Sequence, residues 1–252
     1  MMAIINLSAT SSSSSDTSFA PIAPATMVRI ATVDERFQSF NIEMIEVTGG
    51  RFWKSYHDIE AKAAAPLSAI PAGPVPTGMD PSLYQYRPPV DLANPRLRAL
   101  AAALGPAYAR VSGTWANTTY FHDSAPPTPA QPPKGFGGIL TRRQWKGVID
   151  FSRAVDAAIV TSVATSPGTR DVRGVWTAKE AQKLLSYTKS VGGSVAAAEF
   201  MNEPTYAEMG GAPKGYDAVA YGHDVAVFRR FMMKAAPETI ILGPGGVGEV
   251  SR

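Results

Sequence analysis

From position 27 onward the chain alternates between two spacings of apolar residues, and that alternation sets the expected architecture. Residues 27–33 (Met-Val-Arg-Ile-Ala-Thr-Val) alternate in steps of two, the spacing of a half-buried strand. Residues 37–47 continue as a β-rich run that stops at Gly49-Gly50. A helix is predicted from Asn94 to Leu104. Pro95 suits its first position, Leu97, Leu100, Ala101 and Leu104 share one face, and Gly105-Pro106 ends it. Residues 107–112 then read as a strand. The unit repeats. Thr141 with Gln144 spells a capping box ahead of Trp145, Val148 and Ile149, and residues 157–163 form the next strand. Thr177 with Glu180 spells a second box ahead of Ala181, Leu184 and Leu185, and Gly192-Gly193 closes that helix. Another buried strand precedes Asn202. A helix from Asp217 to Lys234 carries Tyr221, Val225, Phe228 and Met232, and residues 239–242 read as one more buried strand.

Strands starting near Ser39, Ala107, Ala157, Val195 and Thr239, with helices between them, imply an α/β protein with a parallel sheet covered by helices. The expected class is a (β/α)8 TIM-barrel type. A complete barrel takes about 250 residues. Here an N-terminal tail and Ala- and Pro-rich loops at 61–81 and 125–134 use up length. The expectation is therefore an incomplete barrel of about five strand–helix units over residues 27–252. Residues 1–26, with serines at 11–15, are expected to be a disordered Ser/Pro-rich segment.

Composition narrows the function classes. With 252 residues, 45% hydrophobic and 18% charged, the chain has material for a sizeable core. Lys+Arg of 24 against Asp+Glu of 21 leaves +3, with no basic block, so a nucleic-acid partner is not expected. The absence of cysteine excludes disulfides, thiolate-bound zinc and a cysteine nucleophile. No apolar run approaches the roughly 18 residues of a membrane span. The first seven residues lack the basic and apolar regions of a standard signal peptide. His57, His122 and His223 show no metal-ligand spacing, and no cofactor is expected. Residues 243–248 spell G-x-G-x-x-G after a strand, but without a following helix they read as a barrel loop.

Candidate chemistry centres on residues 196–204, an apolar run ending in Asn202-Glu203-Pro204. Pro204 has no N–H and disfavours the α region for Glu203, which predicts a strand ending there with Glu203 extended at its tip. A carboxylate at the C-terminal end of a parallel strand is where α/β barrels place catalytic groups. The same residues also fit an ordinary strand end whose glutamate points to solvent. Asn202 adds an amide that both donates and accepts. Trp115, Tyr120 and Tyr206 follow strand ends, where aromatic rings either stack on sugars or join the core.

The combination resembles the heparanase and β-glucuronidase group of glycoside hydrolases, within the clan of (β/α)8-barrel retaining enzymes. Residues 107–114 resemble the family's Pro-Ala-Tyr-Leu-Arg-Phe-Gly-Gly-Thr segment, with Ser112-Gly113 in place of its Gly-Gly. Residues 95–101 resemble the helix before it, and 199–204 resemble the family's Glu-Leu-Gly-Asn-Glu-Pro. The resemblance implies retaining hydrolysis of β-linked uronic-acid-type glycosides, a carbohydrate partner, and an extracellular or periplasmic location. It makes Glu203 the general acid/base and Asn202 a hydrogen-bond partner of the sugar. Glu43 would contact sugar hydroxyls, and Gly113 and Thr114 would line the substrate. Retaining enzymes set a second carboxylate, the nucleophile, about 5–5.5 Å from the acid/base. The family takes it from the end of a seventh strand, which this sequence does not reach, and Glu249 is the carboxylate beyond the fifth. The chain is thus expected to be truncated before its nucleophile and to show little turnover by itself. Two alternatives stay open: a non-catalytic carbohydrate-binding or barrel-completing piece, and a clan-related glycosidase acting on neutral glycans.

Overall fold

The structure is a computed structural model that describes residues 23–61 and 75–248. The serine run at 11–15, most of the 61–81 loop and Glu249 lie outside the described residues. The chain divides into two units, residues 1–34 and 35–252. In the first, Pro24–Thr26 makes a 3-10 turn. The strand expected at 27–33 does not form, and Met27, Val28, Ile30 and Val33 are exposed. Alternation had supplied a face but no neighbouring strand, and an extended segment needs a ladder partner for its N–H and C=O groups.

The second unit begins with β1 (Ser39–Glu43) and one helical turn, α1 (Met44–Thr48). The β-rich reading through 47 is thus corrected. Glu46 Oε2 accepts from the Glu43 N–H at 2.9 Å, closing a capping box that stops the strand and starts the turn. Next come β2 (Gly50–Trp53), α2 (Tyr56–Ala61) and β3 (Tyr84–Arg87). Strands β2 and β3 form an antiparallel ribbon of their own. The chain continues through α3 (Pro95–Ala102), β4 (Ala107–Ser112), β5 (Thr119–His122), β6 (Gly138–Thr141), α4 (Arg142–Ala154) and β7 (Ala157–Ser162). It ends with α5 (Lys179–Ser190), β8 (Ala197–Glu199), α6 (Ala218–Ala235) and β9 (Ile240–Leu242).

The main sheet has five strands in the order β1-β4-β7-β8-β9, every neighbouring pair parallel. The fold is α/β, with the five predicted strands side by side in chain order. Local sequence explains most helix starts. Asn94 Oδ1 accepts from Arg96 N and Leu97 N at 2.9 and 3.1 Å, with Pro95 at the first helical position. The Thr141–Gln144 box caps α4. The Thr177–Glu180 box does not form: Thr177 Oγ1 donates to the Thr169 carbonyl at 2.7 Å, and Glu180 accepts from Lys183 Nζ at 2.7 Å. Helix α5 therefore starts behind Ala178, which makes no side-chain cap.

The core lies between sheet and helices. Trp145, Val148, Ile149 and Phe151 of α4 are buried, as are Ala157 and Ile159 of β7. Trp145 Nε1 donates to Thr188 Oγ1 at 2.7 Å, which ties α4 to α5. Trp176 meets Phe200 and Phe228 edge-on, and the tilted Phe200–Phe228 pair closes a ring cluster that anchors α6. Strand β9, expected to be buried, is half open. Ile240 and Leu242 are 58% and 43% exposed, because β9 is an edge strand with one neighbour among the described residues.

Register then fixes the chemistry. Glu43 pairs with Ser112, and Ser162 pairs with Glu199. Each is the last residue of its strand, so a polar row crosses β1, β4, β7 and β8 at their C-terminal ends. Along β4 the fully buried Ala107, Ala109 and Val111 alternate with Arg110 and Ser112, which share the opposite face.

Candidate functional site

The polar row is hydrogen-bonded across the sheet. Ser112 Oγ bonds to Ser162 Oγ at 2.7 Å and to Glu199 Oε1 at 2.8 Å. Arg110 Nη2 donates to the same Glu199 oxygen, forming an ion pair, and to Asn202 Oδ1 at 2.8 Å. Arg110 therefore connects the row to the residue before Glu203. A second clamp holds the Asn202 backbone. The fully buried Asn117 donates from Nδ2 to the Asn202 carbonyl and accepts from the Asn202 N–H, both at 3.0 Å. Asn202 also bridges in parallel fashion to Gly245, so the G-x-G-x-x-G loop lies against the site as a strand extension.

Glu203 is where the structure departs from the predicted extended strand tip. Its backbone is left-handed, with φ 51° and ψ 60°. The cause lies on either side of it. Asn117 fixes Asn202, Pro204 opens a 3-10 turn (Pro204–Tyr206), and Tyr206 N donates back to the Glu203 carbonyl at 2.9 Å. The residue between must reverse the chain, at a cost of about 1–2 kcal/mol for a side chain other than glycine. Such strain persists only where the surroundings over-determine it. The half-buried side chain accepts a long, 3.4 Å hydrogen bond from Thr114 Oγ1.

Glu43 occupies the other side. Its carboxylate fills the space a side chain would take at Gly113, where a Cβ would lie 1.6 Å from Glu43 Oε2. With φ of +92°, Gly113 has a backbone suited to glycine as well. Burial pushes the Glu43 carboxyl up to about 7; nearby Glu46 and Glu203 reinforce this, and Arg110 opposes it. A carboxyl poised near neutrality in a cleft marks a functional-site candidate.

All five residues singled out from the sequence, Glu43, Gly113, Thr114, Asn202 and Glu203, line one cavity of about 470 Å³. Tyr84, Trp115 and Arg110 line it too. The sequence reading gave Arg110 and Tyr84 no role. A charged residue two before Ser112 on an otherwise apolar strand was the signal for Arg110, whereas Tyr84 arrives on the β2–β3 ribbon with no local signal. The Tyr84 hydroxyl and the Trp115 Nε1–H are buried and have no hydrogen-bond partner among the described residues. Burial pushes the Tyr84 hydroxyl up to about 12, so it stays a neutral donor. Trp53 stacks on Tyr84 at 4.4 Å, and Phe52 meets Trp115 edge-on at 5.3 Å. Of the other aromatic candidates, Tyr120 lies on β5 beside Phe136, and Tyr206 is 51% exposed; neither lines the cavity. His57 and His223 are exposed. Among the described residues, no group of three or more acidic or histidine side chains could hold a metal ion, and no helix is long and apolar enough to cross a membrane.

The cleft thus combines two carboxyls, an arginine-held amide and aromatic walls, a set able to hold a polyhydroxylated ligand and transfer a proton to it. Compared with known proteins, no family model matches the chain and no curated protein does.

Proposed function

We propose that the five-stranded sheet is part of a (β/α)8 barrel whose strand-end cleft is the acid/base half of a retaining glycoside hydrolase. Its substrates are β-linked uronic-acid-type glycosides, as in the heparanase and β-glucuronidase group. The observation that carries this reading is the strained Glu203 in the turn that follows β8, sharing a single cavity with Glu43 and Arg110. Glu203 protonates the departing glycosidic oxygen and later takes a proton from water. Asn202, oriented by Arg110, hydrogen-bonds a hydroxyl of the sugar beside the scissile bond. Thr114 and Gly113 border that sugar. Glu43, protonated below about pH 7, meets a uronate as a donor rather than as a like charge. Arg110 supplies positive charge for the same carboxylate. No nucleophile is assigned within the described residues.

The test pairs hydrolysis of 4-nitrophenyl β-D-glucuronide with calorimetric binding of glucuronic acid, using the matching glucoside and glucose as neutral comparators. Hydrolysis is read on the chain extended by further barrel strands that supply a nucleophile, where Glu203→Gln is expected to lower turnover roughly 10²–10⁴-fold and to leave glucuronic acid binding in place. Turnover that survives Glu203→Gln, or a failure to bind glucuronic acid at all, refutes the reading. A second reading is a sugar-binding piece of a barrel completed by further strands. It is favoured by the edges of the sheet at β1 and β9, each strand having one neighbour among the described residues. Binding of glucuronic acid with no turnover even in the extended chain selects it.

A further inference from the structure

A smaller cavity, of about 130 Å³, adjoins the Glu203 cleft, and Pro76, Thr114, Trp115 and Met209 line both. Three segments build it: the turn at 114–118 after β4, the run at 209–211 after the Pro204–Tyr206 turn, and residues 75–77. Two glycines let the first two segments meet. A Cβ at Gly210 would lie 2.6 Å from Asn117 Nδ2, and one at Gly211 would collide with Thr118 Cγ2. The Thr77 N–H donates to the Met209 carbonyl at 3.2 Å, which ties in the third segment.

Thr114 sets this space on the Glu203 side of the cleft. Its hydroxyl donates to Glu203 Oε2 at 3.4 Å, and the residue lines both cavities. Glu43 and Arg110 line only the larger one. An acid that protonates a glycosidic oxygen stands beside the group that leaves with that oxygen. A space bordered by the partner of the acid therefore suits the leaving group, and the space bordered by Glu43 and Arg110 suits the sugar.

The two spaces differ in chemistry. None of the residues lining the smaller one is charged. Its wall amides are already spent: the N–H of Gly137 donates to the Thr118 carbonyl at 2.8 Å, that of Gly210 to the Tyr206 carbonyl at 3.0 Å, and that of Gly211 to the Glu208 carbonyl at 3.0 Å. The Thr118 hydroxyl donates to the Trp115 carbonyl at 3.4 Å. A second sugar seated here would bury hydroxyls with few partners, at a cost for each. An apolar ring loses nothing by the same burial and gains from leaving water. The volume agrees, since an apolar cavity of about 150 Å³ takes one benzene.

We propose that this cavity receives the leaving group of the substrate, and that this group is an uncharged apolar ring of about phenyl size and not a further sugar of a polysaccharide. The proposal rests on the glycosidase reading of the Glu203 cleft and adds to it the class of aglycone.

The experiment titrates the 252-residue chain calorimetrically with phenyl and methyl 1-thio-β-D-glucuronide, which differ only in the aglycone and resist hydrolysis. The matching pair of thioglucosides and cellobiouronic acid, which carries a glucose as aglycone, complete the series. The phenyl glucuronide is expected to bind roughly tenfold or more tightly than the methyl one, and cellobiouronic acid no better than the methyl one. The half-buried Val75 lines the small cavity and not the cleft. Val75→Trp is expected to bring the phenyl ligand down to the affinity of the methyl ligand, which itself stays unchanged. Should that variant not fold, the wild-type series decides alone. Equal affinity of the phenyl and methyl glucuronides, or a phenyl advantage that survives intact in Val75→Trp, overturns the pocket and leaves the cleft reading standing. Cellobiouronic acid binding as tightly as the phenyl ligand overturns the apolar assignment. A phenyl advantage confined to the glucosides keeps the pocket and removes the uronate, and binding of none of the ligands overturns both readings.

Discussion

Among the described residues, Arg170–Asp224 and Arg110–Glu199 are arginine–carboxylate pairs of the same chemistry and opposite use. Arg170 and Asp224 meet at 2.7 Å with side chains only 6% and 3% exposed. Every neighbour faces inward. Asp224 also accepts from Trp176 N at 2.9 Å and the Tyr216 hydroxyl at 2.8 Å, and Arg170 donates to the Gly174 and Thr165 carbonyls at 2.9 and 3.0 Å. This knot fastens the loop after β7 to α6. In the Arg110–Glu199 pair, the arginine is 27% exposed and borders the cleft. It spends one nitrogen on Glu199 and Asn202 and keeps other donors facing open space. The contrast teaches that an ion pair's role follows from where its spare hydrogen-bonding capacity points. Directed inward it fastens elements together; directed outward it waits for a ligand.

The sharpest way to break this comparison is Asp224→Ala. It strands Arg170 in the interior and is expected to cost about 3–5 kcal/mol in chemical denaturation. A loss under about 1 kcal/mol, the range of a surface pair, makes the closed knot dispensable. Glu199→Gln keeps the shape and the hydrogen bonds while removing the charge. It is expected to cost about 1–3 kcal/mol of stability and to weaken glucuronic acid binding roughly tenfold. If Asp224→Asn, assayed under conditions where it remains folded, weakens glucuronic acid equally, the division of labour fails.

Glu203→Gly probes strain, which the comparison places on the open side. Relief of the left-handed backbone, less the added freedom of the unfolded chain, is expected to stabilise by up to about 1 kcal/mol, and turnover is lost with the carboxyl. The smallest effect concerns Glu43. Its folded-state value of about 7 lies above the ordinary 4.5. The raised value means that the folded chain binds the proton more tightly than the unfolded chain. The resulting stability is full below about 4.5 and is lost as pH rises through about 7. The melting temperature of the wild type relative to Glu43→Gln should fall across that window. A difference that is flat with pH removes Glu43 as a titrating group.

Legibility tracked the range of the interactions involved. The capping of α4 was readable because Thr141 and Gln144 are three residues apart and nothing competes for them. The equivalent spelling at Thr177 and Glu180 failed because Thr169 and Lys183 took those side chains. The strand ends at Glu199, four residues before the expected Glu203, and the left-handed turn at Glu203 depends on Asn117, 85 residues before Asn202, which no local pattern reveals. The same holds for Tyr84, carried in by an antiparallel ribbon, and for the closeness of Glu43 to Gly113. Strand order was legible because it follows chain order. The exposure of β9 was not, because an apolar run reads the same at an edge as at the centre of a sheet.

The polar row at the strand ends has a further consequence, for how the chain can change. Glu43, Ser112, Ser162 and Glu199 are held level by backbone register, so their spacing is set by the ladder and not by the loops that follow. The exposed segment at 124–131 can lengthen, shorten or change composition without moving that row, whereas 163–178 is tied down by Arg170 and Trp176. A single residue inserted within β4 or β7 instead turns its polar end to the opposite face. The sheet acts as a datum line, and the exposed loop is free to diversify.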